Sequence, residues 1–402
     1  MSARHRRRRR RTVVTVVAVA LAVAAVIAAA VVVRPTTQSV AGSGRPASAP
    51  VSADATAATG DTSVTSPAAT AQSHEHEPQP TTTAQAAPGP PGSSVVPDPS
   101  LAIPTFDGDP VSVGSTPGFV AVSPDGRLAY IARRDAGVVS VMDTSMNKVL
   151  ADVPIPAGPP HFIAFSPDGS RAYVSVYNAD LTINAVAVLD TRTTKVVGTI
   201  PVNKKPYALA VSPDQKFVYV PSHDSAVIDI IDIAANKVVQ SVPVAPNPHW
   251  VTFDDDGTHV YIANHDSNVV SVLETASNTV AATIPVGTSP HSIAVSPDGT
   301  QVAVVCFTSN DVYFIDRETN QVLGTVGVGR NPQDLTYSPD GAYVYTANVD
   351  AGTVSVIDTE TRNVTANVPT TSPTSVAILP NGRRAYVTNL FAGTLTVLKS
   401  GG

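Results

Sequence analysis

Residues 331–370 of this 402-residue chain read NPQDLTYSPDGAYVYTANVDAGTVSVIDTETRNVTANVPT, and near copies of this stretch fill everything from about residue 105 to the end. Apolar and polar residues alternate in short runs, which the clusters SPDG, AG and DTETRN separate. A period of two residues is typical of half-buried strands, and no helical stripe accompanies it. Each copy therefore predicts four short antiparallel strands.

The SPDG turn allows the copies to be counted. Its equivalents begin at Ser123, Ser166, Ser212, Asp254, Ser296, Ser338 and Leu379, at intervals of 43, 46, 42, 42, 42 and 41 residues. Proline presets φ in such a turn, aspartate binds its own backbone, and glycine takes the position with positive φ. Meanders of about 40 residues that cannot bury their faces alone are typical of radial blades. The sequence predicts an all-β, seven-bladed β-propeller of four-stranded antiparallel blades over residues 105–400.

The two ends of the repeat region complement each other. The seventh copy stops after GTLTVLKS at residues 393–400 and lacks the fourth strand of the other copies. A matching piece, DPVSVG at residues 109–114, precedes the first copy. Because pairing removes the liability of an exposed strand edge, we expect this N-terminal strand to complete the last blade. The expected total is 28 strands.

The second strand of several copies carries a family resemblance. The motifs Tyr386-Val387-Thr388-Asn389, Tyr345-Thr346-Ala347-Asn348 and Tyr261-Ile262-Ala263-Asn264 each follow an SPDG-type turn and precede a VSVIDT-type strand. Over roughly residues 105–400 the chain resembles the YVTN-family β-propeller repeat proteins of bacterial surfaces and periplasms. That family includes surface-layer proteins, relatives of quinoprotein dehydrogenase and nitrous-oxide reductase propellers, and members without a known activity. The resemblance implies the fold and leaves the activity open. Four copies replace the asparagine, with Arg133, Val176, Ser222 and Cys306.

Three segments precede the predicted propeller. Residues 1–12 carry seven arginines, and residues 13–33 form an uncharged apolar run whose helix would be about 31 Å long, enough to cross a bilayer core. The basic tail stays in the cytoplasm under the positive-inside rule, so we expect a single-pass signal anchor in the cell membrane with the propeller outside. Cleavage as a signal peptide, with secretion, is the alternative. Residues 34–104 are rich in Pro, Ala, Thr and Ser and predict a disordered stalk.

Charge and missing motifs exclude several function classes. Without the seven N-terminal arginines the chain has 19 basic and 32 acidic residues, a formal net charge near −13, which repels phosphate backbones. We therefore expect no nucleic-acid partner. The sequence contains no GxSxG, no phosphate-cradling glycine loop, no HExxH and no CxxC. Its single cysteine, Cys306, permits no internal disulfide, and we expect it to be buried and inert.

One face of the propeller is expected to carry the function. In every copy a proline stands where the chain enters the innermost strand, and the residue after it should line the mouth of the central channel. Around the ring these residues are Gly118, His161, Tyr207, His249, His291, Gln333 and Thr374. His223 and His265 fall in loops of the same face, and so does the insertion of blade two at residues 177–184. The only tryptophan, Trp250, is expected inside the blade packing.

The histidines are the one constellation with chemical potential, because imidazole is the commonest metal ligand and titrates near neutral pH. The predicted ligand-binding residues are His161, Tyr207, His249, His291, Gln333, His223 and His265. If a divalent transition metal binds, His161, His249 and His291 are its predicted ligands, and their charging below about pH 6 would release it. The alternative is that these rings bond only to backbone or water.

The function predicted from these observations is non-catalytic. We expect a monomeric propeller that acts as a binding scaffold in the cell envelope, with an envelope protein or glycan as its partner, the membrane as its anchor, and no cofactor. A fold that serves many functions carries here no catalytic set of residues. The alternative function is a metal- or cofactor-dependent extracytoplasmic enzyme, of the quinoprotein or oxidoreductase kind, that uses the histidine-lined mouth.

Overall fold

Each repeat folds into one antiparallel sheet, and the sheets form a ring of seven blades. The structure, a computed structural model, describes residues 102–399. Its strands in chain order are β1 (Thr105–Phe106), β2 (Val111–Ser112), β3 (Pro117–Val122), β4 (Leu128–Arg133), β5 (Val138–Asp143), β6 (Lys148–Pro154), β7 (Pro160–Phe165), β8 (Arg171–Tyr177), β9 (Asn184–Asp190), β10 (Lys195–Pro201), β11 (Ala210–Val211), β12 (Phe217–Ser222), β13 (Val227–Asp232), β14 (Lys237–Pro243), β15 (Pro248–Phe253), β16 (His259–Asn264), β17 (Val269–Glu274), β18 (Thr279–Pro285), β19 (Pro290–Val295), β20 (Gln301–Cys306), β21 (Asp311–Asp316), β22 (Val322–Gly327), β23 (Pro332–Tyr337), β24 (Tyr343–Asn348), β25 (Thr353–Asp358), β26 (Asn363–Pro369), β27 (Pro373–Ile378), β28 (Arg384–Asn389) and β29 (Thr394–Lys399). Short 3₁₀ turns lie at Arg134–Ala136, His223–Ser225 and His265–Ser267.

Within a blade the strands follow one another from the channel outwards. Blades 1 to 6 consist of β3–β6, β7–β10, β11–β14, β15–β18, β19–β22 and β23–β26, and each inner strand packs against the inner strands of the neighbouring blades. The hydrophobic cores lie between blades, as where Val139 of blade 1 and Val174 of blade 2 share one cluster. Middle strands are therefore buried on both faces, whereas the outermost strands, such as β6, alternate between exposed and half-buried residues.

Blade 7 is completed by the N-terminal segment. Both β1 and β2 pair antiparallel with β29, with Thr105 opposite Lys399 and Val111 opposite Leu395. The Arg384 guanidinium donates its Nε hydrogen to Asp107 Oδ2 at 2.7 Å and so fixes the same segment from a second strand. The predicted fold and its closure are confirmed. The closing strand is broken into two short pieces, so residues 102–399 form 29 strands instead of 28.

The asparagine of the recurring Tyr-Val-Thr-Asn motif cross-links strands within a blade. Asn348 Nδ2 donates to Ser355 Oγ at 2.9 Å, and the residues equivalent to this pair are Asn264 with Ser271 at 3.0 Å and Asn389 with Thr396 at 2.9 Å. Where Cys306 replaces the asparagine, the thiol is fully buried, and this burial raises its pKa to about 12. The expected burial of this cysteine is thus found.

Tyrosines of the second strands bridge neighbouring blades. Tyr219 donates its hydroxyl hydrogen to Asn278 Oδ1 at 2.6 Å, and Tyr386 donates to Asn147 Oδ1 at 2.7 Å. Both asparagines occupy left-handed turn positions, which suit this residue.

The seam between blades 1 and 2 lacks this bridge. Thr194 stands at the corresponding turn position with φ 54°, and the buried hydroxyl of Tyr130 has no hydrogen-bond partner among the described residues. A groove of about 900 Å³ opens between these two blades, and Phe165, whose ring centre lies 4.8 Å from that of Tyr130, lines it.

The N-terminal predictions fall outside this region. The basic tail 1–12, the apolar segment 13–33 and all but the last residues of the stalk 34–104 lie beyond the described part of the chain. Residues 102–399 contain no helix with the length and apolar character needed to span a membrane.

Candidate ligand site at the channel mouth

A β-bulge at the start of the inner strand positions the mouth residues. In six blades the pairing register shifts directly after the entering proline, as between Pro248 and Trp250. A bulge changes the direction in which the side chain of the extra residue points. Proline is tolerated beside it because proline has no backbone N–H that would need a partner in the adjacent strand. In blade 3 the inner strand is shortened to two residues, and Pro206 and Ala208 form only isolated bridges on either side of Tyr207.

All seven residues predicted at the mouth line one cavity of about 260 Å³. They are Gly118, His161, Tyr207, His249, His291, Gln333 and Thr374. Each comes from a different blade and from the same repeat position, so the ring geometry brings them together. The cavity lining also includes Arg134 and Leu390 from second-to-third-strand loops.

Aromatic rings close the bottom of this cavity. Phe119 of blade 1, Phe162 of blade 2 and Trp250 of blade 4 stand two positions after their prolines, with ring centres 5.3 to 5.7 Å apart in edge-on contacts. Trp250 was expected inside the blade packing; it does border the core between blades 4 and 5, but its ring reaches across the channel to blades 1 and 2. The recess therefore has an apolar, aromatic floor, to which Phe162 and Trp250 contribute.

Polar residues fill the other half of the channel at this level. The buried carboxylate of Asp334 accepts hydrogen bonds from Ser292 Oγ at 3.0 Å, from Ser375 Oγ at 2.8 Å and from the backbone N–H of Val376 at 3.1 Å. Burial raises the pKa of Asp334 to about 6, although these donors oppose the shift. The group ties together the inner strands of blades 5, 6 and 7. No sequence motif marked it, since its partners lie 41 and 42 residues away.

Backbone carbonyls of the next blade orient two of the mouth histidines. His249 Nδ1 lies 2.9 Å from the carbonyl oxygen of His291, and His291 Nδ1 lies 2.6 Å from that of Gln333. A carbonyl oxygen only accepts, so each Nδ1 carries the hydrogen and each Nε2 has a free lone pair. The two rings are in contact, with centres 3.9 Å apart.

His161 has different partners. Its Nε2 donates to the carbonyl oxygen of Tyr177 at 3.0 Å, and its ring stacks on that of Tyr177 with centres 3.6 Å apart. Tyr177 begins the long loop of blade 2, so the insertion does reach the mouth. His249, by contrast, contacts the rings of Tyr207 and Phe162, with centres 3.9 and 6.2 Å away.

Burial keeps the mouth histidines uncharged near neutral pH. It lowers the pKa of His161 to about 4 and that of His291 to about 3, and it lowers the pKa of His249 well below the ordinary value. The expectation that these rings charge below about pH 6 is therefore wrong. Sequence position could not reveal this, because the shift comes from the surroundings of each ring.

His223 and His265 lie beside the mouth without lining its cavity. Each donates Nδ1–H to the aspartate that follows it, His223 to Asp224 and His265 to Asp266. The ring of His265 is 5.6 Å from that of His249 and 5.7 Å from that of His291. The structure thus groups His265, rather than His161, with the two central histidines.

The described residues offer no ready metal centre. Within 102–399 no group of three or more His, Cys, Asp or Glu side chains is placed to hold a metal ion. The lining of the mouth cavity includes no carboxylate, and its one cation, Arg134, donates its Nε hydrogen to Asp135 at 2.9 Å. The recess therefore has no carboxylate and a single cation that is already paired, and it combines an aromatic floor with several hydrogen-bond acceptors.

Comparisons with known proteins agree on the architecture. A family model described as a YNCE-like beta-propeller matches residues 111–259 and 252–350, more than half of the chain. No curated protein matches significantly. Among solved structures, Kuenenia stuttgartiensis hydrazine synthase is similar, with a TM-score of 0.65 and 23% identity over 73% of this chain and 99% of that one. Because as many as 1760 solved chains match, such likeness shows the fold alone. The narrower YVTN resemblance stays a prediction.

Proposed function

The chain belongs to the YNCE-like β-propeller family, and from that premise we propose that it is a non-catalytic binding scaffold of the cell envelope. Its ligand occupies the recess at the channel mouth. The basic tail and the apolar segment 13–33 anchor it in the membrane, and the stalk 34–104 carries the propeller away from the bilayer on the outer side.

The recess is the observation that supports binding. Seven residues, one from each blade and from the same repeat position, converge on a single cavity whose floor is aromatic. Hydrogen bonds to the backbone of the next blade fix His249 and His291, so these side chains need no reorganisation when a ligand enters. A preformed, largely apolar cleft with a few oriented polar groups is the usual form of a ligand site.

The metal-dependent enzyme remains the second candidate because of one observation. The unprotonated Nε2 atoms of His249 and His291, each with Nδ1 bonded to a carbonyl, are in the form that binds metals. A third ligand is not in place within residues 102–399, because no three His, Cys, Asp or Glu side chains there are grouped so as to hold a metal ion. Metal analysis of the purified full-length chain tests this candidate, and stoichiometric copper, zinc or iron would overturn the scaffold proposal.

Photocrosslinking tests the position of the binding site. A benzophenone amino acid replaces Gln333 in the mouth in one variant. In a matched variant it replaces the exposed Gln321, which lies in the turn between β21 and β22 at the opposite end of the blade. In intact bacterial cells the variant at Gln333 should form adducts with envelope material, and the variant at Gln321 should not. Equal yields at the two positions, or none at Gln333, would contradict a ligand site at the mouth.

Protease protection tests the location. Protease added outside intact cells should degrade the propeller, and alkaline carbonate should leave the full-length chain in the membrane pellet. Protection from external protease would place the propeller inside the cell, against the proposal.

A further inference from the structure

We propose that the recess binds an uncharged sugar ring at the end of an envelope glycan. This inference rests on the proposed binding function and adds the chemical class of the ligand. It draws on the charge, the hydrogen-bonding capacity and the shape of the recess.

Charge excludes ionic ligands first. The mouth histidines are neutral at physiological pH, and the cavity lining holds no carboxylate to attract a cation. Its only cation, Arg134, is already paired with Asp135 and is half exposed. A buried anion would therefore lack an unpaired counter-charge, and burying a charge without one is unfavourable. An uncharged ligand is the one that the recess accepts without this penalty.

The polar atoms of the recess select a ligand that donates hydrogen bonds. The Nε2 atoms of His249 and His291 accept only, and neither has a partner within residues 102–399. The side-chain amide of Gln333 also makes no hydrogen bond in that part of the chain and lines the same cavity. Several acceptors around one small space match the hydroxyl groups on the rim of a sugar ring. A planar aromatic ligand would offer fewer donors.

Shape and aromatic surface agree with a single ring. A volume of about 260 Å³ is at the small end of ligand cavities. The faces of Phe162, Tyr207 and Trp250 carry partial negative charge, which attracts the weakly positive C–H groups of a sugar face.

An exposed aromatic side chain indicates that the sugar belongs to a longer chain. Leu390 lines the cavity, and the next residue, Phe391, is 73% exposed and lies in the same loop. A second sugar that leaves the recess can pack on this ring. Phe391 should therefore strengthen binding of an oligosaccharide but not that of a single sugar.

Trp250 provides the reporter, since it is the only tryptophan and forms part of the recess floor. The full-length chain, purified in a polyoxyethylene detergent that carries no sugar, is titrated with mannose, N-acetylglucosamine and its tetramer. At least one neutral sugar should change Trp250 emission saturably, with a Kd of about 1 mM or tighter. The charged sugar N-acetylneuraminic acid, the nucleoside adenosine and Zn²⁺ alone serve as competing probes.

Variants connect the signal to the site. Gln333→Leu should weaken sugar binding about tenfold, because one hydrogen bond is lost and the sugar hydroxyl stays unpaired. The matched change Gln321→Leu at the opposite end of the blade should leave the Kd unchanged. Phe391→Ala should weaken binding of the N-acetylglucosamine tetramer and leave the Kd of the single sugar unchanged.

The outcomes separate this inference from the proposed function. One outcome is that Trp250 emission responds to adenosine, to the charged sugar or to Zn²⁺ but to no neutral sugar. This result would refute the assignment of the ligand as a neutral sugar and would still support a ligand site at the mouth. A neutral sugar that binds the Gln333→Leu variant equally well overturns the assignment to this recess. If no probe changes the emission at up to about 10 mM, ten times the expected Kd, the inference fails. The crosslinking experiment still tests the binding function by itself.

Discussion

The carboxylate of Asp334 should make the stability of the propeller fall as the pH rises from about 4 to 6. In the folded chain burial raises its pKa from the ordinary value of 3.8 to about 6. Between these two pH values the folded state binds a proton that the unfolded state has released, so raising the pH favours unfolding. A difference of this size corresponds to about 3 kcal/mol at 1.36 kcal/mol per pKa unit.

The variant Asp334→Asn isolates this contribution. The amide keeps the volume of the carboxyl group; its oxygen can accept from Ser375 Oγ and the N–H of Val376, and its NH₂ can donate to Ser292 Oγ. Any mismatch in these bonds shifts stability equally at every pH. The stability of the variant relative to the wild type should therefore rise by about 2 kcal/mol between pH 4 and pH 7, because the unfolded carboxyl group is already more than half ionised at pH 4.

Urea unfolding followed by Trp250 emission at pH 4, 5, 6 and 7 measures this difference. The control is Asp168→Asn, because a hydrogen bond from Ser166 Oγ lowers the pKa of that carboxyl. The carboxyl group of Asp168 is protonated only below pH 4. The free energy of unfolding of Asp168→Asn should therefore differ from that of the wild type by a constant amount between pH 4 and pH 7. A constant difference between Asp334→Asn and the wild type from pH 4 to pH 7 would refute the reasoning. It would mean that the carboxylate is hydrated in the channel.

Three further predictions concern the seam, the ring closure and the mouth. Thr194→Asn should stabilise the fold by about 1 kcal/mol in urea unfolding, because the hydroxyl of Tyr130 gains a partner, and an equal gain in a Tyr130→Phe background would rule out that bridge. Deleting residues 106–114 should lower the melting temperature far more than deleting residues 34–100, since only the first deletion exposes the edge of blade 7; equal melting would contradict the closure. Ligand-induced changes of Trp250 emission should be the same at pH 7.5 and 5.5, because burial lowers the pKa of His161 to about 4, that of His291 to about 3 and that of His249 well below its ordinary value; a midpoint near pH 6.5 would show that the rings are solvated.

Most of the fold could be derived from the sequence because the repeat is local. Alternation of apolar residues and the recurring SPDG turn, as at Ser338, define strands that lie within about 40 residues of each other. The missing fourth strand of the last copy showed that the chain must close with its own N-terminal segment. The proline before each inner strand, such as Pro248, marked the position that enters the mouth.

The mouth was only partly predictable. Its seven wall residues follow from counting one position after each proline. The floor residues Phe119, Phe162 and Trp250 are each the second residue after the proline of their blade. Within a single blade, however, the alternation of side chains predicts that this position packs between blades and does not face the channel. His161 could not be separated from His249, because the sequence does not show that Tyr177 stacks on it.

The sequence by itself determined the number of blades, the order of their strands and the residue that each blade presents at the mouth, because these depend on contacts within one repeat. Only the tertiary structure decided which residues of different blades meet. Phe119 and Trp250 are 131 residues apart and touch because the ring closes. The same closure buries His291 and Asp334, and burial, which no local pattern encodes, sets their charge.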